Sequence, residues 1–458
     1  MFLALKWLEG HAMSGVEYHS SARNPPPRCY DGTRTELITM AERLLRDPNT
    51  KEKFLFLYGP AGVGKSAILQ TLAERQAQNG TFGATLFLRR PSPPTGSLDD
   101  ASQVWLTVSY RLATLDSSYL AYVNDQIKQD PKLVEANMQY QFQKLIAEPF
   151  GQKQLLSPSP VWPIFIDGWD QYHEHETQTQ ILQLIGKFIS DYPSAPLVWI
   201  ISSRPDRFLL KAVEEFSLQG HIKTHFVPVD SDDALADVKH YLQRQFSSFQ
   251  KNYDITDPSP WPKEDDFGRI EFSVSGYFMI ASAIAQFVGN REVADPMSQL
   301  ETVLALSSEG LTPGFSHPFI AVHKLYMEIL TTVSDVHYRT ARRIIGFYLL
   351  PYGFGAYNQR SATLWVLCNI LGIKQNVAYA CLSKLRPLLN VPEPKDAFDK
   401  PIRFFHPSFA DFLTNRDASE RFWIDVKDVA DDLWQCHCRI LHQVNVPGTC
   451  SDSRFSSF

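Results

Sequence analysis

The sequence predicts an α/β fold, a parallel sheet covered by helices on both faces, followed by a helical domain and a winged-helix domain. Three observations lead there. Short β-prone apolar runs alternate with helical runs over the first half of the chain, the pattern left by parallel strands whose crossovers are helices. After Phe249 that alternation stops and helical periodicity alone continues to Leu350. Between Ser361 and Leu413 the order becomes helix, helix, strand. At 458 residues the chain exceeds what one core accommodates, so about three folded units are expected.

Taken in order, the opening "MFLALKWLEG" reads as a short amphipathic helix. Its apolar run is broken by Lys6 and lacks the small-residue cleavage site of a signal peptide. Residues 1–30 as a whole, rich in Ser, Pro and Arg and ending in "RNPPPRC", are expected to be an N-terminal linker. From Thr33 a helical pattern, "TELITMAERLLRD", leads into Phe54–Tyr58, a buried strand. "SAILQTLAERQAQNG" is helical with Asn79-Gly80 as its stop. "GATLFLRR", "PVWPIFIDGW", "APLVWIISSR" and "IKTHFVPV" are strand candidates, and "DASQVWLTVSYRLATL", "QTQILQLIGKFISDY" and "DDALADVKHYLQRQF" are helical ones. The first domain is therefore placed at 31–250. Proline and acidic residues in "KNYDITDPSPWPKEDD" mark a linker at 251–266. A helical domain at 267–350, a winged helix at 351–420 and a C-terminal helix and tail at 421–458 complete the expectation.

The stretch "YGPAGVGKSAIL", Tyr58–Leu69, carries the first chemical signal. Gly59, Gly64, Lys65 and Ser66 satisfy G-x-x-x-x-G-K-[ST], the P-loop that wraps a phosphate chain. Residues without a Cβ let the backbone turn inward so that successive N–H groups face phosphate oxygens, and Gly62 adds a further permissive position. Pro60, Ala61, Val63 and Ala67 fill out the nucleotide-binding loop. Lys65 would neutralise the terminal phosphates, Ser66 would hold Mg²⁺, and the helix that follows would offer its positive end. A plain glycine turn would explain the glycines; the strand before and the helix after favour the phosphate cradle.

A second metal-organising group is expected on another strand. Asp167 in "VWPIFIDGWDQ" ends a hydrophobic run where a carboxylate reaches Mg²⁺ directly or through water; a turn or helix-cap aspartate is the alternative. Asp170 would orient an attacking water as the catalytic residue or supplement the metal shell. In "LVWIISSRPDR" the guanidinium of Arg204 would read a terminal phosphate, or else pair with Asp206 or Glu214.

Composition narrows the partners. A net charge of −6 and a pI near 6.1 argue against nucleic-acid binding as the main function. The longest apolar stretch, Gly276–Gly289, falls short of the ~20 residues that span a bilayer, so no membrane is expected. Six cysteines dispersed along a long chain point to a reducing, cytoplasmic setting. "CHC" at Cys436–Cys438 lacks a second ligand pair at zinc spacing. The aromatic-rich helical runs read as core. Arg342-Arg343 and the acidic cluster "DVKDVADD" read as solvated helix edges.

Five motifs, "RCYDGTRTELI", "YGPAGVGKSAIL", "FIDGWDQ", "IISSRPD" and "FFHPSFADFL", occur in the order found in NACHT-type ATPases of the STAND class. The chain most resembles the large fungal set with a nephrocystin-3-like N-terminal domain, over roughly Cys29 to Leu413. The resemblance implies a molecular switch that binds ATP/ADP with Mg²⁺: ADP holds a closed monomer, and ATP releases it to associate with itself or with related NACHT proteins. It also implies that Gly32, Thr33 and Arg34 pack near adenine, that Asp167 organises the metal, that Arg204 is the strand-end sensor, and that His406 contacts the ADP β-phosphate. On its own, His406 among Phe404, Phe405 and Phe409 would equally be a core histidine. One departure stands out: Gln171 occupies the position of the family's glutamate, and glutamine positions water without taking its proton. Hydrolysis is therefore expected to be slow. Compared with the family the chain looks trimmed, with little before Cys29 for an effector domain and no repeat array after the winged helix. Rival readings are a multiple-turnover AAA-type or kinase-type P-loop enzyme and a nucleotide-inactive scaffold or truncated regulator.

Overall fold

The computed structural model describes residues 2–23, 25–47, 50–80, 83–88, 102–155, 161–171, 175–217, 220–256, 260–274, 276–291, 293–308, 319–350, 363–386, 388–404 and 407–443. They form two compact units, one of residues 1–241 with 276–278 and one of 242–275 with 279–458.

The first unit is built on five parallel strands: β1 (Phe54–Tyr58), β2 (Ala84–Phe87), β3 (Trp162–Asp167), β4 (Leu197–Ser203) and β5 (Ile222–Phe226), in the spatial order β2-β3-β4-β1-β5. Because side chains alternate along a strand, each of β1 to β4 feeds two cores. Phe54, Phe56, Ile164, Ile166, Leu197, Trp199 and Ile201 face one layer. Leu55, Leu57, Phe165, Val198 and Ile200 face the other. The second layer is closed by α2 (Thr35–Arg46) and α3 (Lys65–Gln78), whose Leu37, Ile38, Ala41, Ile68, Leu69 and Leu72 are buried there. Two-sided burial is why these strands read as unbroken apolar runs rather than alternating ones.

The other layer is thicker. It comprises α1 (Phe2–His11), α4 (Ser102–Leu115), α5 (Ser117–Gln129), α6 (Met138–Phe142) with the π-helical turn Gln143–Gln152 that continues it, α7 (His175–Asp191) and α8 (Arg207–Ser217). The short helix expected from the opening residues is α1, and within the stretch expected as a linker its Ala4 and Leu8 lie fully buried in this core. The chain after α1 then covers the edge strand β2: Phe87 N–H donates to the Val16 carbonyl at 2.8 Å, and Tyr18 N–H to Thr85 Oγ1 at 3.0 Å. Arg111 pairs with Glu17. An uncovered edge leaves unpaired backbone groups, and Val16 satisfies that of Phe87 here. The prolines and polar residues suggested a spacer because the pairing that orders them comes from a strand nearly seventy residues away.

Helix α9 (Asp232–Asn252) begins in the first unit and ends in the second. In the second, Phe246 of α9 packs edge-on against Trp261 and against Phe267 of α10 (Glu264–Val274). Helices α11 (Phe278–Val288), α12 (Pro296–Ser308), α13 (Phe319–Thr331) and α14 (Asp335–Leu349) follow. Then come α15 (Leu364–Leu371) and α16 (Gln375–Leu382), the antiparallel pair β6 (Leu389–Asn390) with β7 (Arg403–Phe404), α17 (Pro407–Thr414), α18 (Arg416–Ser419) and α19 (Val426–Gln443). Thr363 caps α15, and Gly372 at φ 66° ends it.

Two surface expectations change. Arg343 makes a two-pronged ion pair with Asp432 of α19, at 2.6 and 2.9 Å, and Arg342 reaches Asp428 at 3.2 Å. The basic and acidic helix edges, each expected to face solvent alone, bind one another. Cys436 lies buried on α19 and accepts from Arg343 Nη2 at 3.4 Å. The tail 444–458 falls outside the described residues. No described helix is long and apolar enough to cross a membrane.

Candidate nucleotide site

The parallel arrangement brings the carboxyl ends of β1, β4 and β3 side by side, with β4 between the other two. Each end carries one of the motifs found in the sequence. Ligands of open parallel sheets bind at this edge.

Beyond β1 the chain turns at Gly62 (φ 81°) and Gly64 (φ 96°), conformations that cost other residues strain. Gly59 is needed for a different reason: a Cβ there would lie 2.6 Å from the Val227 carbonyl oxygen. Pro60, Ala61 and Ala67 are half-buried along the loop, and Val63 is fully buried. Gly64 is the N-cap of α3 and offers no side chain to its first N–H groups. Those donors, with the helix's positive end, suit an anion. The Lys65 ammonium donates to the carbonyls of Gly59 and Pro60 at 2.7 and 2.8 Å. Burial lowers its pKa to about 8; Asp170 and Asp167 pull the other way, and Arg204 adds to the lowering. Lys65, Asp167, Asp170 and Arg204 thus share one electrostatic neighbourhood although the sequence spreads them over 140 residues.

Asp167 is buried at the end of β3. Its carboxylate accepts from the Ser202 hydroxyl and from Ser66. Desolvation raises its pKa, while those hydroxyls and the charges of Arg23 and Lys65 oppose the rise. The link to Ser66 joins the two residues expected to hold a metal. Gly168 at φ 74° follows, and a Cβ there would meet Gln171 at 2.9 Å.

Arg204 follows β4. Its backbone N–H donates to Asp170 Oδ1 at 2.9 Å, and its Nε lies 3.2 Å from Oδ2. The partner considered from the sequence, Asp206, is engaged elsewhere: it accepts from the N–H groups of Phe208 and Leu209 at 2.8 and 3.1 Å and so caps α8.

The segment before α2 also reaches the loop. Thr33 is buried and bonds back to the Tyr30 carbonyl. Gly32 (φ 85°) lies against His240, and the Arg34 guanidinium donates to the Val63 carbonyl at 3.1 Å. His406 falls outside the described residues.

Three residues of this neighbourhood escaped the sequence reading. Ser202 lacks a motif of its own. Asp237, the partner of Arg34, sits on α9 among other acidic residues. Arg23 lies in the stretch expected as a linker, yet it is buried, stacked 3.5 Å over the Phe87 ring and bonded to Gln70 at 2.9 Å. Phe87 is the register partner of Asp167, which brings a buried positive charge to that carboxylate. An arginine in a Ser- and Pro-rich run carries no local sign of such a role.

A parallel sheet with a glycine-rich loop after β1, a buried carboxylate ending β3 and an arginine after β4 defines a P-loop NTPase. Residues 32–204 match the family described as Nephrocystin 3, N-terminal. Looser likenesses extend further. A Walker-type ATPase of Pyrococcus abyssi is similar over 84% of this chain and 97% of its own, at 15% identity and a TM-score of 0.38. AMPPCP-bound DnaA from Aquifex aeolicus is similar over 90% and 96%, at 12% identity and a TM-score of 0.27. A chain of the Drosophila ORC bound to poly(dA/dT) DNA and Cdc6 is similar over 96% and 65%, at 9% identity and a TM-score of 0.30. Likenesses at these scores say nothing about chemistry. No curated protein matches the chain.

Proposed function

We propose that this protein is an ATP/ADP-binding signal-transduction switch of the NACHT class with slow hydrolysis. The observation that carries this reading is the engagement of Asp170. A carboxylate that takes a proton from water needs an open oxygen, but one oxygen of Asp170 accepts from the Arg204 backbone and the other faces its guanidinium. Gln171 orients water without deprotonating it. A site with a half-buried lysine and no released base retains its nucleotide, which is what a switch requires.

The residues fit the ligands. Gly62 and Gly64 turn the backbone, the uncapped α3 end and Lys65 supply positive charge, and Ser66 with Asp167 would hold Mg²⁺, which neutralises phosphate charge when bound. Arg204 would read a terminal phosphate through its outer guanidinium nitrogens while its Nε stays against Asp170, and so report its presence. In the same reading His406 retains ADP, and loss of that contact favours association with further copies or with related NACHT proteins.

Mass spectrometry of the supernatant from denatured, purified protein tests the reading, together with single-turnover hydrolysis and light scattering. Expected are near-stoichiometric ADP or ATP and turnover below about one per minute, the intrinsic range of unassisted P-loop switches. His406→Ala should speed ADP release and shift the protein toward oligomers; an unchanged off-rate and an unchanged monomer would remove His406 from the mechanism. Steady turnover well above that rate would support an enzyme instead. Absence of nucleotide binding, with Lys65→Ala silent, would leave a nucleotide-inactive scaffold.

A further inference from the structure

We infer that Arg34 is a positioning residue for the phosphate-binding loop, set in place by Asp237 of α9, rather than a reader of the adenine base. The inference rests on the nucleotide-binding reading above and adds how its loop is held.

A loop that turns its N–H groups toward a ligand turns carbonyls away from it, and a buried carbonyl left without a donor is costly. Val63, in the middle of the loop, is fully buried. Its carbonyl accepts from Arg34 Nη2 at 3.1 Å. That bond is charge-assisted and made by a side chain that is itself buried.

Arg34 is in turn fixed by its surroundings. Its backbone stands at φ 53°, a left-handed conformation that arginine rarely adopts. The N–H donates to Asp237 Oδ2 at 2.9 Å, and the same carboxylate lies 3.8 Å from Nε. The guanidinium stands 5.3 Å from the Phe278 ring centroid. The neighbouring residues sit on the same helix face: Tyr30 packs edge-on against His240 and Tyr241, and His240 Nε2 lies 3.2 Å from the Asp31 carbonyl. Gly32 leaves room for that imidazole, since a Cβ would approach it to 3.2 Å. One turn of α9 therefore seats residues 30–34, and Arg34 passes that constraint to Val63.

The two roles for Arg34 differ in what they do to a ligand without a base. Affinities for ADP and for inorganic pyrophosphate, the latter by competition against labelled ADP, are measured for wild type, Arg34→Met, Arg34→Lys and Asp237→Asn. Arg34→Met should weaken both ligands by the same factor, roughly tenfold for loss of one charge-assisted bond. Arg34→Lys, which keeps one donor, should recover part of the loss. Asp237→Asn, which still accepts the Arg34 N–H, should weaken both ligands less than Arg34→Met does. Amide exchange in ligand-free protein should quicken at residues 59–66 in Arg34→Met and stay unchanged in β1 and β4. That measurement also separates loop positioning from a general loss of fold. Weaker ADP binding with unchanged pyrophosphate binding would assign Arg34 to the base and overturn the inference. Unchanged loop exchange would overturn it as well. A wild type that binds neither ligand would overturn the nucleotide reading, while loop exchange would still judge the hold of Arg34 on the loop.

Discussion

Lys65 offers a measurement that links the site to stability. Its ammonium is half-buried, and burial pulls its pKa from 10.5 to about 8. A base whose pKa falls on folding is penalised when charged. The penalty is complete below the folded value and vanishes above the unfolded one, so stability rises as pH climbs from about 8 to 10.5. Each pH unit of depression is worth about 1.4 kcal/mol, which sets a ceiling of about 3 kcal/mol. Lys65→Met removes the titration and also the bonds to Gly59 and Pro60. The absolute difference between the proteins therefore mixes two effects, whereas its pH dependence isolates the charge. Nucleotide-free wild type should gain on Lys65→Met by about 1 kcal/mol between pH 7 and pH 9, and by about 2 kcal/mol at pH 10. Urea unfolding at fixed ionic strength, followed by tryptophan fluorescence, measures the gap. The transition that ADP shifts to higher urea in wild type belongs to the first unit. ADP should also flatten the pH dependence, because a phosphate beside Lys65 favours its charged form. Parallel pH profiles for the two proteins would refute the claim that Lys65 is held in a desolvated site.

Other expectations follow from single contacts. Asp167→Asn keeps one acceptor oxygen where the carboxylate has two and removes the buried charge; calorimetric titration should find that Mg²⁺ no longer tightens ADP binding. Gly276 stands at φ 76°, where a Cβ would collide with the Val229 carbonyl oxygen, so Gly276→Ala should cost on the order of 2 to 4 kcal/mol in thermal unfolding. The Arg343–Asp432 pair is about one-third exposed. A double-mutant cycle with Arg343→Met and Asp432→Asn should return a coupling of about 1 kcal/mol or less, smaller still in about 0.5 M salt.

Much of the first unit was legible in the sequence. Phe54–Tyr58, Leu197–Ser203 and the helix after Lys65 formed where apolar runs and glycine stops placed them, because those signals act over a few residues. The glycines at 62 and 64 announced their positive φ through spacing alone. The chemistry at Gly59–Ser66 and at Asp167 was likewise local, a motif joined to the strand that ends in it.

Period-two burial tells which residues share a face but not which strand lies beside which, and the order β2-β3-β4-β1-β5 is what brings Arg204 to Asp170 and Ser202 to Asp167. It also lets Val16 and Tyr18 cover the edge strand β2 and sets Arg23 beside Asp167. The sequence by itself determined the loop that receives phosphate and the strands that carry it. Only the tertiary structure decided the partners of its charges: Arg34 and Asp237 meet across 203 residues, and no periodicity encodes a contact that arises when separate elements are packed onto a common sheet.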